Sequence, residues 1–418
     1  MTALAPQLGG PQLGRVSALG EPRVLRGFDL GRPVRFADHA QLHGPLPRLD
    51  AATLTAWCDA ARLAGRGGAA FPVARKLGAL RGGRRVVVVN GCESEPASIK
   101  DRTLLTRFPH LVLDGAVLVA DAIAASEIRI AVHDERMAQD LWRVCSERSD
   151  TRRVHVDVVS AAFVSGEATA LVQGLNGNPA RPLGRRVLPT DRGVDRHATF
   201  LSNTETYAQL AVLARAGVEQ FVQVGTRDEP GTMLLSVGGA VANPAVIEAP
   251  YGTFVADVLR LVAAQPPAAL VVGGYHGGWV PPKGDLRLTR AELTAVGGTL
   301  GAGVLLVIDD RTCALGELTR VASWLAAQSV QQCGPCRFGL PALVNDLLAA
   351  GHGHNGAESA LHRHTTMVTG RGACAHPDGA ARFVSTGVRL LHRELDQHRR
   401  RRGCGRPVYG QLPVPGVA

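Results

Sequence analysis

Two groups of residues in this 418-residue chain have types and spacings that could do chemistry. The first begins at Gly65-Arg66-Gly67-Gly68-Ala69-Ala70-Phe71-Pro72 and continues to Lys76. Consecutive small residues let backbone N–H groups approach an anion closely, and Arg66 and Lys76 can offset a phosphate's charge. Alone, such a segment is more often just a turn. Shortly afterwards an apolar run, residues 86–90, ends at Asn90 and is followed by Gly91-Cys92-Glu93-Ser94-Glu95-Pro96 and Lys100-Asp101-Arg102. Polar groups at the carboxyl end of a strand are where α/β sheets place ligands. Two further segments, around Gly166-Glu167 and at Ser202-Asn203-Thr204-Glu205, start helices with polar side chains,.

The second group is made of thiols. Cys333-Gly334-Pro335-Cys336 is a Cys-x-x-Cys pair, and Cys374 lies further on in Gly372-Ala373-Cys374-Ala375-His376-Pro377. A lone pair of this kind reads as a zinc knuckle or a redox couple. Cys58 and Cys145 sit on helical patterns and read as small buried hydrophobes,. Cys313 and Cys404 are further thiols that could complete a ligand set. His352, His354, His362 and His364 read as a surface loop and helix start rather than a metal site,.

Elements to position these groups are legible in outline. Apolar residues make up 45% but aromatics only 4%, so a core must be built mainly of Ala, Val and Leu. From about residue 51 to 225, helical patterns alternate with β-rich runs such as Arg85–Asn90, Ile128–His133 and Val154–Val159, the pattern of an α/β layer,. Residues 226–311 hold short strand candidates between Gly/Pro turns and read as a small α+β unit,. Residues 312–397 carry apolar residues at helical spacing and read as a bundle,. Residues 1–50 read as an irregular lead-in, and 398–418, opening His398-Arg399-Arg400-Arg401-Arg402, as a disordered basic tail,.

The net charge of +10 suits acidic partners,. No aromatic-plus-basic motif points to nucleic acid. Residues 1–25 have no signal-peptide h-region, and no run reaches the roughly 18 apolar residues of a membrane span,. The nearest, Leu111 to Ala125, contains Asp114 and Asp121 and reads as a core helix. Eight cysteines are too few for a disulfide scaffold, so a cytoplasmic setting, peripheral to a membrane complex at most, is expected,.

In order and spacing the blocks resemble the flavin-carrying, NADH-oxidising subunit of respiratory complex I and of soluble NAD-linked hydrogenases, over about residues 60 to 395. That family has a Gly-Arg-Gly-Gly-Ala-Gly-Phe-Pro loop, an Asn-Ala-Asp-Glu-x-Glu-Pro segment, a Gly-Glu-Glu segment and Asn-Asn-x-Glu-Thr. The Asn-Gly-x-Glu-x-Glu-Pro wording here is also similar to the Rnf-type electron-transport C subunit. The resemblance implies an FMN-binding α/β domain (51–225), a soluble-ligand-binding β-grasp domain (226–311) and an iron–sulfur helical bundle (312–397). It implies Gly65, Arg66, Gly67, Gly68, Phe71, Lys76, Asn90, Glu93, Glu95, Gly166, Glu167 and Asn203 as cofactor-binding residues, and Cys333, Cys336 and Cys374 as iron ligands. It further implies NADH as substrate and a ferredoxin-like or other redox subunit as partner. No catalytic acid or base is expected, because hydride transfer to flavin requires none.

The chain departs from the family at the nicotinamide-stacking positions, where Ala79 and Val187 replace rings, and at Ala168 and Cys92, which replace acids. Val330 stands where the first cluster cysteine belongs. The fourth iron is then left to water, to Ser329 or to another residue, or the site holds three irons, or none.

Overall fold

The computed structural model describes residues 14–184, 187–401 and 403–415. After strand β1 (Arg15–Ala18) come helices α1 (Phe36–His43), α2 (Ala51–Ala60) and α3 (Val73–Gly78), which lead into β2 (Arg85–Asn90). The chain then alternates through α4 (Lys100–Arg107), α5 (Pro109–Ala122), β3 (Glu127–Val132), α6 (Glu135–Ser146), β4 (Val154–Val158), α7 (Ala168–Leu175), β5 (Ala198–Asn203) and α8 (Thr204–Val222). Strands β4-β3-β2-β5 form one sheet in which every pairing is parallel. Val86 to Val89 are all fully buried. Helices cover both faces, so this strand reads as a continuous apolar run rather than an alternating one.

Helices α5 and α8 cross at Gly115, where a Cβ would stand 1.9 Å from the Tyr207 carbonyl oxygen, so only glycine fits. Asp114 is met in this core by three partners: His39 Nε2 at 2.6 Å and the cations Arg148 Nη2 at 2.7 Å and Arg215 Nη2 at 2.5 Å. Burial alone would raise its carboxyl pKa; these partners outweigh that and hold it well below the usual range,. The acid inside the apolar run is therefore a clamp joining α1, α5 and α8. No single helix among the described residues is long and apolar enough to cross a membrane; α4 and α5 qualify only as a pair bent by 93°. The apolar residues of α5 lie in the protein's own core.

The second sheet is built from β6 (Thr232–Gly239), β7 (Ala245–Pro250), β8 (Pro267–Val272), β9 (Gly278–Val280) and β10 (Val304–Asp309), with α9 (Val255–Leu261) and α10 (Arg290–Ala295) between strands. Its order is β1-β7-β6-β10-β8-β9. The lead-in expected to be irregular thus supplies an edge strand, parallel to β7. Buried Glu248 fixes it there by accepting the backbone N–H groups of Arg23, Val24 and Leu25.

Helices α11 (Ala314–Ala327), α12 (Leu340–Gly351), α13 (Ala357–Val368), α14 (His376–Leu390) and α15 (His392–Arg401) follow. Leu318, Val321, Leu325, Leu343 and Leu347 are buried among them, whereas Leu348 faces out. The expectation of a disordered tail from residue 398 does not hold for its described part. His398 to Arg401 are the last turn of α15. Residues 403–415 then return along α11 as a strap: Leu412 is fully buried, and Gln411 N and Leu412 N donate to the Glu317 carboxylate.

Candidate functional site

The polar segments meet at the carboxyl ends of β2 and β5. Asn90 and Asn203 end those strands and are paired neighbours across the sheet. Asn90 Nδ2 donates to the Gly166 carbonyl at 2.9 Å and so ties β2 to the turn before α7. A Cβ on Gly166 would stand 2.8 Å from the Cys92 carbonyl oxygen. Glycine is required there by close approach. Glu167 caps α7, accepting Thr169 N and Ala170 N at 2.9 Å each.

The glycine loop joins α2 to α3 and closes over the same edge. A Cβ on Gly67 would lie 3.3 Å from Asn203 Cβ, and Gly68 has φ +97°, a conformation that favours glycine,. Phe71 remains 44% exposed, with the Arg75 guanidinium 5.6 Å from its ring centre. Lys76 reaches from α3 to the end of β5, donating to the Leu201 carbonyl at 2.8 Å and to Ser202 Oγ at 3.2 Å. Both partners are neutral, and burial pushes the ammonium pKa down to about 8. A buried cation without a counter-charge is costly, and a phosphate at this strand end would supply one.

Arg66 does not join Lys76 around one anion. Its guanidinium turns to the second sheet, donating to the Thr232 carbonyl at 3.0 Å and lying 4.8 Å over the Tyr251 ring. A cavity of about 210 Å³ lies there, lined by Gly65, Arg66, Glu205 and Tyr251.

Of the two glutamates, Glu93 is occupied inside the chain. It accepts Asp101 N at 3.1 Å, Arg102 N at 2.9 Å and Ser98 Oγ at 2.5 Å, and so caps α4. Glu95 is different. Oε2 accepts Tyr275 N at 2.9 Å, while Oε1 is buried with no hydrogen-bond partner among the described residues. Burial raises its pKa to about 7. Behind the site the sequence-marked Lys100, Asp101, Asn203 and Glu205 join in one buried network. Lys100 Nζ lies 2.9 Å from Asp101, 3.1 Å from Glu205 and 3.0 Å from Asn203 Oδ1. Burial lowers its pKa, but the carboxylates, Asp101 first, outweigh this and leave it raised. Glu205 in turn accepts Leu234 N of β6 at 3.0 Å, so one ion network sets both the strand-end asparagine and the second sheet. Its sequence signals were two polar helix starts, Lys100-Asp101 and Asn203-Thr204-Glu205, with nothing to say that they meet.

The three cysteines converge where the bundle meets this edge. Cys336 is buried, and burial, the adjoining Cys333 thiol and Cys374 push its pKa up to about 12. Burial also raises Cys374, against the N–H of His376, and the Glu167 carboxylate is near enough to bear on it. Ser329 Oγ, one residue before Val330, is buried without a hydrogen-bond partner among the described residues. Cys313 and Cys404 are elsewhere: Cys313 caps the start of α11, whose 14 residues span ~21 Å, while Cys333 follows its end,. Neither replaces the missing thiolate. Between the strand-end site and the cysteines, Phe163 is edge-on to Trp324 (5.1 Å), His276 (4.9 Å) and His376 (5.4 Å).

These residues fit both groups. Lys76 lacks an anion, Glu95 Oε1 lacks a donor, glycines open the loop, and the Cys333 and Cys374 thiols are near enough to bear on Cys336.

Residues 58–212 match the family model for the Nuo51 FMN-binding domain, and residues 317–398 match the NADH-ubiquinone oxidoreductase-F iron-sulfur binding region. The F subunit of the NADH-quinone oxidoreductase of Streptomyces coelicolor is 30% identical over 378 residues, covering 84% of each chain. A second relative, the F 2 subunit of the Rhizobium meliloti enzyme, is 28% identical over 369 residues, covering 82% of this chain and 87% of that one. A solved NAD+-reducing [NiFe]-hydrogenase matches with a TM-score of 0.76 at 27% identity; the alignment covers 84% of this chain and 62% of the hydrogenase chain. With both regions matched in order, and a relative 30% identical over 84% of each chain, the chain belongs to the family of NADH-quinone oxidoreductase F subunits.

Proposed function

We propose that the chain oxidises NADH with FMN seated at the carboxyl ends of β2 and β5 and delivers electrons to an iron–sulfur cluster held by Cys333, Cys336 and Cys374. Flavin supplies the conversion of a two-electron hydride into single electrons, which a cluster can carry. The observation that carries this reading is Lys76, a buried cation bonded to neutral groups at the strand end where the phosphate belongs. In this reading Gly65, Gly67 and Gly68 give backbone access to the phosphate, and Asn90, Asn203, Gly166 and Glu167 frame the ring. Arg66 and Glu93 act from behind, Arg66 by fixing the loop to the second sheet and Glu93 by holding the start of α4. Glu95 Oε1 is the acceptor left for nucleotide or flavin, and Phe71 is the ring left to stack a nicotinamide.

Ser329 Oγ is the protein oxygen next to the vacated ligand position and fits the fourth iron. Division into an FMN domain, a β-grasp domain and an iron–sulfur bundle follows the two sheets and the helices. A ferredoxin-like or quinone-reductase-type redox protein, docked by the chain's positive charge, is the partner,.

A second reading, relay between a small ferredoxin and another redox protein without NADH, is favoured by Ala79 and Val187 in place of stacking rings. Anaerobic purification, flavin release by heat and titration with NADH separate the two. Flavin bleached by NADH supports the first reading; flavin reduced by dithionite but not by millimolar NADH overturns it.

A further inference from the structure

At the end of the bundle remote from Cys333, four potential ligands from three segments converge. They are Cys313 at the start of α11, Glu394 and His398 on α15, and Cys404 in the strap, and their ligand atoms all lie within 4.8 Å of one another. Cys313 Sγ is 3.3 Å from Glu394 Oε1 and 3.4 Å from His398 Nε2, and His398 Nε2 is 4.0 Å from Glu394 Oε1. Zinc bonded at about 2.0–2.3 Å in tetrahedral geometry places its ligands roughly 3.3–3.8 Å apart. The two Cys313 separations are already of that size, and the remaining ones, none above 4.8 Å, need only a small closing around an ion. Glu394 and His398 are separated by four residues on one helix, a spacing that puts both on the same face,.

The surroundings are those of a built site. Gly316 N donates to Cys313 Sγ at 3.2 Å, and Leu315 N donates to Glu394 Oε1 at 3.0 Å. Arg406 donates to Glu394 Oε2 at 2.6 Å. Outer contacts of this kind orient ligands and tune their charge. Cys404 is flanked by Gly403 and Gly405, both with positive φ, so the strap bends sharply to present it.

We propose that Cys313, Glu394, His398 and Cys404 form a structural zinc site, separate from the iron–sulfur cysteines. On binding, each thiol loses its proton to solvent, no electrons move, and the ion takes two thiolates, one carboxylate oxygen and a neutral imidazole nitrogen. The resulting net charge of minus one is offset by Arg406. The ion ties the strap and α15 to the start of α11.

The test uses the full chain, purified anaerobically with reductant, supplied with zinc, dialysed against a chelator and assayed for zinc and iron by elemental mass spectrometry. About one zinc per chain should remain in the parent and in the triple variant Cys333→Ser, Cys336→Ser, Cys374→Ser. Retention against chelator should fall at least tenfold in Cys404→Ser and in His398→Gln, two changes on different segments. Zinc lost from the triple variant but kept by Cys404→Ser and His398→Gln would overturn the proposal, because the ion would then occupy the cluster cysteines. A parent that retains no zinc would overturn it, and so would an intact mass showing Cys313 and Cys404 joined as a disulfide under the same reducing conditions.

Discussion

Lys76 Nζ donates to the Leu201 carbonyl oxygen at 2.8 Å, which places a buried positive charge at the open end of β5. Replacing it with methionine removes a charge-assisted bond to an anionic ligand, worth about 2–3 kcal/mol. The Kd of flavin-stripped protein for FMN should rise at least tenfold, as read by flavin fluorescence quenching. Because burial lowers the ammonium pKa to about 8, FMN affinity should decline as pH rises through that value. Lys76→Arg, charged throughout, should flatten the profile. A parent with pH-independent affinity from about pH 7 to 9 contradicts this role.

Glu95 gives a stability signature of opposite origin. Its folded pKa of about 7 lies above the ordinary value of 4.5, because burial disfavours the charge. The folded state therefore binds more protons between these values. The stability this group contributes is complete below about pH 4.5 and is lost as pH rises through 7. Glu95→Gln keeps an acceptor for Tyr275 N and removes the titration. It should be stabilising relative to the parent at pH 8, by at most about 3 kcal/mol, and neutral near pH 4.5. Melting curves at both pH values decide it; an equal difference at both would show that Glu95 does not titrate in this range.

The cluster should be labile, with three thiolates and only the Ser329 hydroxyl, an exchangeable ligand, for the fourth iron,. Mild oxidation should convert it to a three-iron form visible by electron paramagnetic resonance, and Val330→Cys should make it persist in air. Cys374→Ser should abolish it. A parent cluster as durable as that of the Val330→Cys variant would mean that a strong fourth ligand is already present.

Gly166→Ala brings a Cβ to 2.8 Å from the Cys92 carbonyl oxygen and must push two strand-end turns apart. Urea unfolding should show a loss of about 1–3 kcal/mol, typical of overpacking, together with reduced FMN content. A stability within about 0.5 kcal/mol of the parent, the usual scatter of surface substitutions, would show that the contact relaxes freely.

NADH should reduce the flavin with weak affinity, since one exposed ring, Phe71, remains for stacking. An aromatic pair contributes about 0.5–1.5 kcal/mol, so Ala79→Phe should lower the Kd for NADH several-fold in stopped-flow bleaching. No change would place the nicotinamide away from residue 79.

The strand-end segments and cysteines were legible because their signals are local: glycine where backbone approaches backbone, helix caps, thiols at ligand spacing. The direction of Arg66 was not, since Thr232 and Tyr251, its partners, are more than a hundred residues away. The inward role of Glu93 was hidden for a related reason. A helix-capping carboxylate and a ligand-binding one look alike until the N–H groups of Asp101 and Arg102 are placed. The parallel pairing of Arg15–Ala18 with β7 joins segments far apart in sequence, and no periodicity in a four-residue strand announces it. The basic run on α15 looked unstructured because so few of its residues are apolar; Glu394 and Leu395 are the ones that hold it down.

The strap along α11 sets where this protein can be cut. The iron–sulfur family region stops at residue 398, yet Glu317, inside that region, has its carboxylate buried and answered by Gln411 and Leu412. Cys313 N is answered by the Pro407 carbonyl at 2.7 Å. A fragment trimmed to the family boundary would keep the Arg320 guanidinium, 2.7 Å from the Glu317 carboxylate, but lose the two strap N–H donors and the buried Leu412 side chain, and would expose the α11 face that they cover. The bundle is not a detachable cassette: expression of the cluster region requires the chain through at least Leu412, whose side chain is fully buried and whose N–H donates to Glu317.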